Sequence, residues 1–229
     1  MNELRIHRWP GLVDYRQTWR AMQDFSANRT ETSCDELWLL EHAPVYTRGR
    51  NAREQAPGGA IPTIDTDRGG DLTYHGPGQL MAYSLFDLTR LGIGVRHLVS
   101  GLEAVVLATL ERFGIEGRRQ VGAPGVYVGA AKIAALGLRI RAGRSYHGLA
   151  LNVAMDLNPF ASIAPCGYHG LKVTQLADCG GPSDLTVVAE VLTEKFLAHF
   201  GFAPKEDRHE PYDGSEQHLL ARPYRHSKD

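Results

Sequence analysis

The chain has 229 residues, enough for one large domain or two small ones, and its 43% hydrophobic and 22% charged residues are ordinary for a globular protein. A net charge of −1 leaves no basic footprint for nucleic acid, and no apolar run reaches membrane-spanning length, so both partner classes are set aside. The start, Met1-Asn2-Glu3-Leu4-Arg5, has neither a signal peptide's apolar core nor a transit peptide's character. Three cysteines, Cys34, Cys166 and Cys179, are too few and too odd in number for a disulfide framework, so the expectation is reduced thiols in a cytoplasm.

In chain order, residues 4–9 read as a short strand ended by Pro10-Gly11. Asp14 is placed to cap a helix whose Tyr15, Trp19, Met22 and Phe25 recur at helical spacing. Residues 36–48 read as a buried strand running into an irregular loop, with His42 satisfying a loop hydrogen bond, and residues 49–60 as a turn-rich connector. Two glycine-rich turns then bracket a short Leu-Thr-Tyr-His strand. Their Arg, Tyr, His and Gln side chains among glycines favour a ligand-binding loop over plain hairpin turns. It is neither a phosphate loop of the Gly-x4-Gly-Lys-Ser/Thr type nor a dinucleotide fingerprint.

Residues 79–88 read as a strand too continuously apolar for clean alternation. Residues 97–113 form the clearest helix, with Leu98, Leu102, Val105, Thr109 and Phe113 on one stripe and Gly114 as its stop. Strands are expected near 125–128, 132–140 and 146–155, and a short helix over 170–177. Ser183 is the expected cap of a last helix carrying Leu185, Val188, Leu192, Phe196 and Phe200, closed by Gly201. The fold class is α/β, a mixed β-sheet with packing helices, in a single domain of residues 1–203. Residues 204–229 turn polar and read as a loose tail.

Two placements are uncomfortable for structural residues. Lys132 opens an apolar, strand-like run, and Cys166 sits in a Pro-Cys-Gly turn. Brought together, the cation would favour the thiolate and the thiolate would partner the cation, which makes an activated sulfur nucleophile. Burial among Ala130, Ala131, Ile133 and Ala134 would lower the lysine's pKa into a range useful for proton transfer. The Gly167 amide is open to a developing oxyanion, and a helix starting near Gly170 would bring its positive end to the sulfur. On the residues alone, other readings stay open. Cys166 could be a buried apolar packer, Lys132 could snorkel, and Cys166 with His75, His147 and His169 could be drawn as a Cys/His metal site or a Cys–His dyad.

Three stretches also carry a resemblance: Arg68-Gly-Gly-Asp-Leu-Thr-Tyr-His75-Gly-Pro-Gly-Gln79, Lys132-Ile-Ala-Ala-Leu-Gly-Leu-Arg-Ile140 and Pro165-Cys166-Gly167-Tyr168. Their order and spacing resemble the octanoyltransferase family of lipoate biosynthesis. The resemblance implies the fold of biotin and lipoate protein ligase catalytic domains. It implies transfer of octanoyl from acyl carrier protein to a lysine of lipoyl domains, those of 2-oxoacid dehydrogenase complexes and the glycine cleavage H protein, with no cofactor or metal. Carried over by position, Cys166 becomes the acyl-thioester nucleophile and Lys132 the residue that lowers its pKa. Arg68, Gly69, Gly70, Asp71, Leu72, Thr73, Tyr74 and His75, with Ala135, Leu136, Gly137, Gly148, Leu149 and Ala150, become the acyl pocket. A thioester donor is already activated, so ping-pong transfer without ATP is expected. The rivals are an ATP-dependent lipoate ligase of the same fold, which would keep a lysine and a glycine-rich loop but not need Cys166, and a cofactor-free binding module for acylated carrier domains, which would keep the pocket but have no use for a Lys–Cys pair.

Overall fold

A computed structural model describes residues 2–53, 55–163 and 172–205. Its centre is an eight-stranded mixed sheet in the order β11-β1-β2-β6-β10-β9-β8-β7. These strands are β1 (Asn2–Val13), β2 (Asp35–His42), β6 (Gln79–Leu85), β7 (Arg118–Arg119), β8 (Val126–Val128), β9 (Ala131–Arg141), β10 (Arg144–Asn152) and β11 (Phe202–Lys205). β1 runs parallel to both β2 and β11, and every other neighbouring pair is antiparallel. A second sheet, β4-β3-β5, is built from β3 (Val45–Arg48), β4 (Thr63–Asp65) and β5 (Leu72–His75). The α/β class expected from sequence is the one found.

Both faces of the large sheet are covered, which explains why its central strands lack alternation. In β2, Leu37 and Leu39 point into one core while Trp38 and Leu40 point into the other; β6 divides likewise into Leu80 and Ala82 against Met81, Tyr83 and Leu85. The first core is closed by α3 (Val95–Arg112) and α5 (Leu185–Phe200), through Leu98, Leu102, Val105, Val188, Leu192 and Phe196. The second is closed by α1 (Tyr15–Asn28), through Met22 with Trp19 and Phe25. Asp14 caps α1 as expected, its carboxylate accepting from the Gln17 amide at 2.9 Å. Two single-turn helices, α2 (Leu88–Leu91) and α4 (Asn158–Ala161), complete the α-helices among the described residues. No described helix is long and apolar enough to cross a membrane.

Four local expectations are corrected. Pro10-Gly11 does not end β1: the strand continues to Val13 across a register shift between Arg8 and Leu12, with Gly11 at φ +70°. A positive-φ glycine beside a proline is the chemistry of a bulge as much as of a stop. The segment after His42 is a second strand, not an irregular loop, because the chain changes sheets at Ala43-Pro44. The cap of α5 is Asp184, whose carboxylate accepts from the Thr186 amide at 2.7 Å, one residue beyond Ser183. Finally, β11 carries the sheet two residues past Ala203: Pro204 and Lys205 pair with Leu4 and Arg5, and Lys205 Nζ lies 2.9 Å from Glu3. The rest of the expected tail, residues 206–229, lies outside the described residues.

Candidate active site

A pocket of about 750 Å³, open mouth included, lies between strands β6, β9 and β10 of the large sheet and the β5 side of the small one. Of the expected acyl-pocket residues, Arg68, Gly70, Asp71, Leu72, Thr73, His75, Ala135, Leu136, Gly137, Gly148, Leu149 and Ala150 line it. Two do not. Tyr74 packs against Tyr46 and edge-on to Phe160, and the Gly69 amide clamps the loop to β9 by donating to Leu138 O at 2.8 Å. Lys132 lines the same pocket and is 4% exposed, so it does not snorkel. Its Nζ donates to Pro124 O at 3.0 Å and sits 5.3 Å from the centre of the Tyr127 ring.

Gly148 lines the pocket, but its lack of a side chain answers to a neighbouring strand. A Cβ there would come 2.1 Å from Ala82 O on neighbouring β6, so its bareness serves the close approach of two central strands rather than the ligand. Gly148→Ala is expected to destabilise the fold by about 3 kcal/mol or more, because backbone cannot step aside as a side chain can. Urea unfolding checks it, and an unchanged midpoint would refute the account.

The glycine-rich loop is held by a directional run of hydrogen bonds. Arg68 is buried, its guanidinium donating to Thr47 O at 2.6 Å, Thr47 Oγ1 at 2.9 Å and Asp71 O at 2.8 Å. The Thr47 hydroxyl donates to His75 Nε2 at 3.2 Å, and His75 Nδ1 donates to Gln79 Oε1 at 2.7 Å. Gln79 Nε2 donates to Asn152 Oδ1 at 2.9 Å, and Asn152 Nδ2 to Thr174 O at 2.9 Å. The run requires neutral His75, and burial, reinforced by His42 and Arg68, pushes its pKa well below the usual range.

At its end the run meets Lys132 again. The Thr174 amide donates to Lys132 O at 3.0 Å and the Lys132 amide to Lys172 O at 2.8 Å. This pairing keeps residues 172–176 non-helical, which removes most of the short helix expected over 170–177. β-branched Val173 and Thr174 suit that geometry. Cys166, Pro165, Gly167, Tyr168, His169 and Gly170 lie outside the described residues, so the expected nucleophile falls there, as do Cys166 and His169 of the metal alternative.

Beside the pocket, half-buried Asp67 gathers four partners. Trp19 Nε1 donates to it at 2.8 Å, Gln23 Nε2 at 3.3 Å and His147 Nε2 at 3.0 Å, and the Tyr146 hydroxyl donates as well. Partial burial works against the carboxylate, but the His147 and Tyr146 hydrogen bonds outweigh it and hold the pKa well below the usual range. His147, at φ +61°, lines the pocket and is lowered by burial despite Asp67. Tyr15 stacks on His75, and burial pushes its phenol up to about 12. His42, as expected, is satisfied, donating to Val13 O at 3.0 Å and accepting from the Tyr83 hydroxyl at 2.7 Å. Sequence reasoning missed Asp67, Asn152 and Tyr15 as site residues. A polar Asn closing an apolar strand was the one available signal.

The lipoyl protein ligase A/B catalytic-domain model matches residues 14–200. The chain belongs to that family. Among the family's members, the octanoyltransferase of Stutzerimonas stutzeri is 52% identical over 198 residues, covering 86% of this chain and 90% of that protein. The octanoyltransferase of Laribacter hongkongensis is 55% identical over 184 residues, 80% of this chain and 89% of that one. Among solved structures, a lipoate-protein ligase A bound with ATP has a TM-score of 0.74 at 16% identity, over 90% of this chain and 88% of that one. A putative lipoate protein ligase of T. acidophilum with bound lipoic acid reaches 0.71 at 18% identity, with the same coverage. At such identities these structures speak to the fold, which is that of a ligase catalytic domain.

Proposed function

We propose that this protein is an octanoyltransferase that takes octanoyl from acyl carrier protein onto Cys166 and passes it to a lysine of a lipoyl domain. Half-identical relatives of that name support the reaction class, an acyl transfer in protein lipoylation. One observation carries the mechanism: Lys132 is buried in the wall of the pocket, and its own backbone is paired to residues 172–174, beginning six residues after Cys166. In the first half-reaction the Cys166 thiolate attacks the donor carbonyl, the bond from carbonyl carbon to carrier sulfur breaks, and the carrier thiolate takes a proton from the Lys132 ammonium. In the second, the acceptor amine attacks the Cys166 thioester. The amide forms, the carbon–sulfur bond breaks, and the amine's extra proton passes to Lys132. The wall of β9 and β10 from Ala134 to Gly137 and from Gly148 to Ala150 takes the alkyl chain, and buried Arg68 fixes the loop opposite.

The donor is a thioester, so the transfer needs no ATP, and the sequence has no Gly-x4-Gly-Lys-Ser/Thr loop. The test is the intact mass of the protein after mixing with octanoyl-acyl carrier protein, without ATP. An octanoyl adduct that hydroxylamine removes, present in wild type and absent in Cys166→Ala, is expected. Acylation of lipoyl domain only with ATP and free octanoate, with no adduct on either protein, would make the chain a ligase.

A further inference from the structure

Beside the site described so far stands a buried acid that has no task in it yet. Glu103 lies in α3, is 8% exposed, and is flanked along the helix by core residues Leu102, Val105 and Val106. Its Oε1 accepts from the Gly125 amide at 2.9 Å, and its Oε2 lies 3.1 Å from Nε of Arg119 on β7. The N–H of Gly125 and the C=O of Pro124 belong to one peptide unit, and that carbonyl is the one that accepts from Lys132 Nζ at 3.0 Å. Carboxylate, peptide and ammonium therefore stand in line across a single amide.

Gly125 completes the arrangement. Its φ of +134° is open to glycine, and a Cβ there would lie 2.7 Å from Ala134 O and 3.0 Å from Lys132 Cε. The bare α-carbon lets the loop press against β9 directly at the lysine. The Tyr127 hydroxyl also donates to Ala123 O at 3.2 Å, and its ring lies beside Lys132 Nζ. A carboxylate on the N–H side of an amide polarises it, so the carbonyl on the far side becomes a stronger acceptor.

We propose that Glu103 is a positioning residue for Lys132, acting through the Pro124–Gly125 peptide to fix the ammonium at the pocket wall. The inference rests on the reading of Lys132 as the proton-transfer group. Its role differs from core packing: the carboxylate sets where the lysine's charge sits, while the neighbouring leucines and valines hold the helix.

The experiment compares Glu103→Ala, Glu103→Gln, Lys132→Met and the double variant Lys132→Met/Glu103→Gln. Readouts are kcat and KM for octanoyl-acyl carrier protein, and the rate of iodoacetamide alkylation followed at Cys166 by peptide mass. Glu103→Ala is expected to lower kcat and the alkylation rate about tenfold to a hundredfold, with KM within about twofold of wild type, because a charge-assisted hydrogen bond to the lysine's anchor is lost. Glu103→Gln, which keeps an acceptor oxygen, falls between the two. In the Lys132→Met background Glu103→Gln is expected to add no further loss of alkylation rate, since both act on one group. An additive second loss would assign Glu103 a merely structural role and overturn the proposal. So would unchanged kcat in Glu103→Ala alongside a crippled Lys132→Met; if Glu103→Ala does not fold, unchanged kcat and alkylation in Glu103→Gln decides the same way. Full activity in Lys132→Met would remove the reading of Lys132 itself, and this inference with it.

Discussion

Replacing Lys132 with methionine is expected to lower octanoyl transfer by about 10²–10⁴-fold, the range for losing one general acid–base group. Methionine matches the aliphatic stem and removes only the donor, so the pocket wall stays filled. Pro124 O would then lose the hydrogen bond it accepts at 3.0 Å, a modest structural loss beside the chemical one. The loss should fall on kcat, with KM for the acyl donor little changed, since the alkyl chain is held elsewhere along β9 and β10. Steady-state kinetics with octanoyl-acyl carrier protein would show it. A pure KM effect would place Lys132 in substrate binding instead.

Stability is expected to fall steeply as the solution is acidified from pH 7 to 5. Three histidines are buried in this region: His75 and His147 line the pocket, and His42 lies behind it with its ring centre 6.2 Å from that of His75. Burial holds all three below the free value of 6.5, His42 down to about 4. The sign follows from proton counting. Below pH 6.5 the unfolded chain binds protons that the folded chain refuses, so acid favours unfolding; above 6.5 neither state binds them and the contribution is flat. Each histidine that stays neutral withdraws about 1.4 kcal/mol of stability per pH unit below 6.5, and His42 alone about 3 kcal/mol by pH 4. Set against a total of roughly 5–15 kcal/mol, that is a large fraction. Asp67, depressed in the fold, adds its own loss only below its ordinary carboxylate value of 3.8. Urea midpoints at pH 7, 6 and 5 test the histidine slope. A level profile would mean that the folded protein takes up these protons too.

The helices and most strands were legible because their signals are local. Asp14 before an amphipathic stripe and Gly114 and Gly201 after apolar ones need no knowledge of the rest of the chain. The loop from Arg68 to His75 announced itself through glycines among polar side chains, and Lys132 through a charge at the head of an apolar run. What stayed hidden depends on partners far along the sequence. Asp67 has meaning only through Trp19, Tyr146 and His147, and Glu103 only through Gly125, 22 residues on. The helix expected over 170–177 failed for the same reason, since Lys132 takes the backbone of residues 172–174 into a strand-like pairing. Gly148 shows the converse. Its smallness was visible, but only the position of Ala82 O says what the smallness is for.

The seam between β1 and β11 bears on how the chain acquires its shape. Asn2 pairs with Phe202 and Arg5 with Lys205, a separation of two hundred residues, and the same β1 also lies beside β2. During synthesis from the ribosome, β1 can find β2 early, yet its other edge must wait for residues 202–205 to emerge. Until then the nascent sheet carries an unpaired parallel edge, the kind of template on which partly made chains associate. The exposed Leu12, near the β1 bulge, lies on that waiting strand. Closure of this seam thus joins residues two hundred positions apart, and Arg5, His7 and Arg8 give the waiting strand polar side chains of the kind that discourage edge-to-edge association.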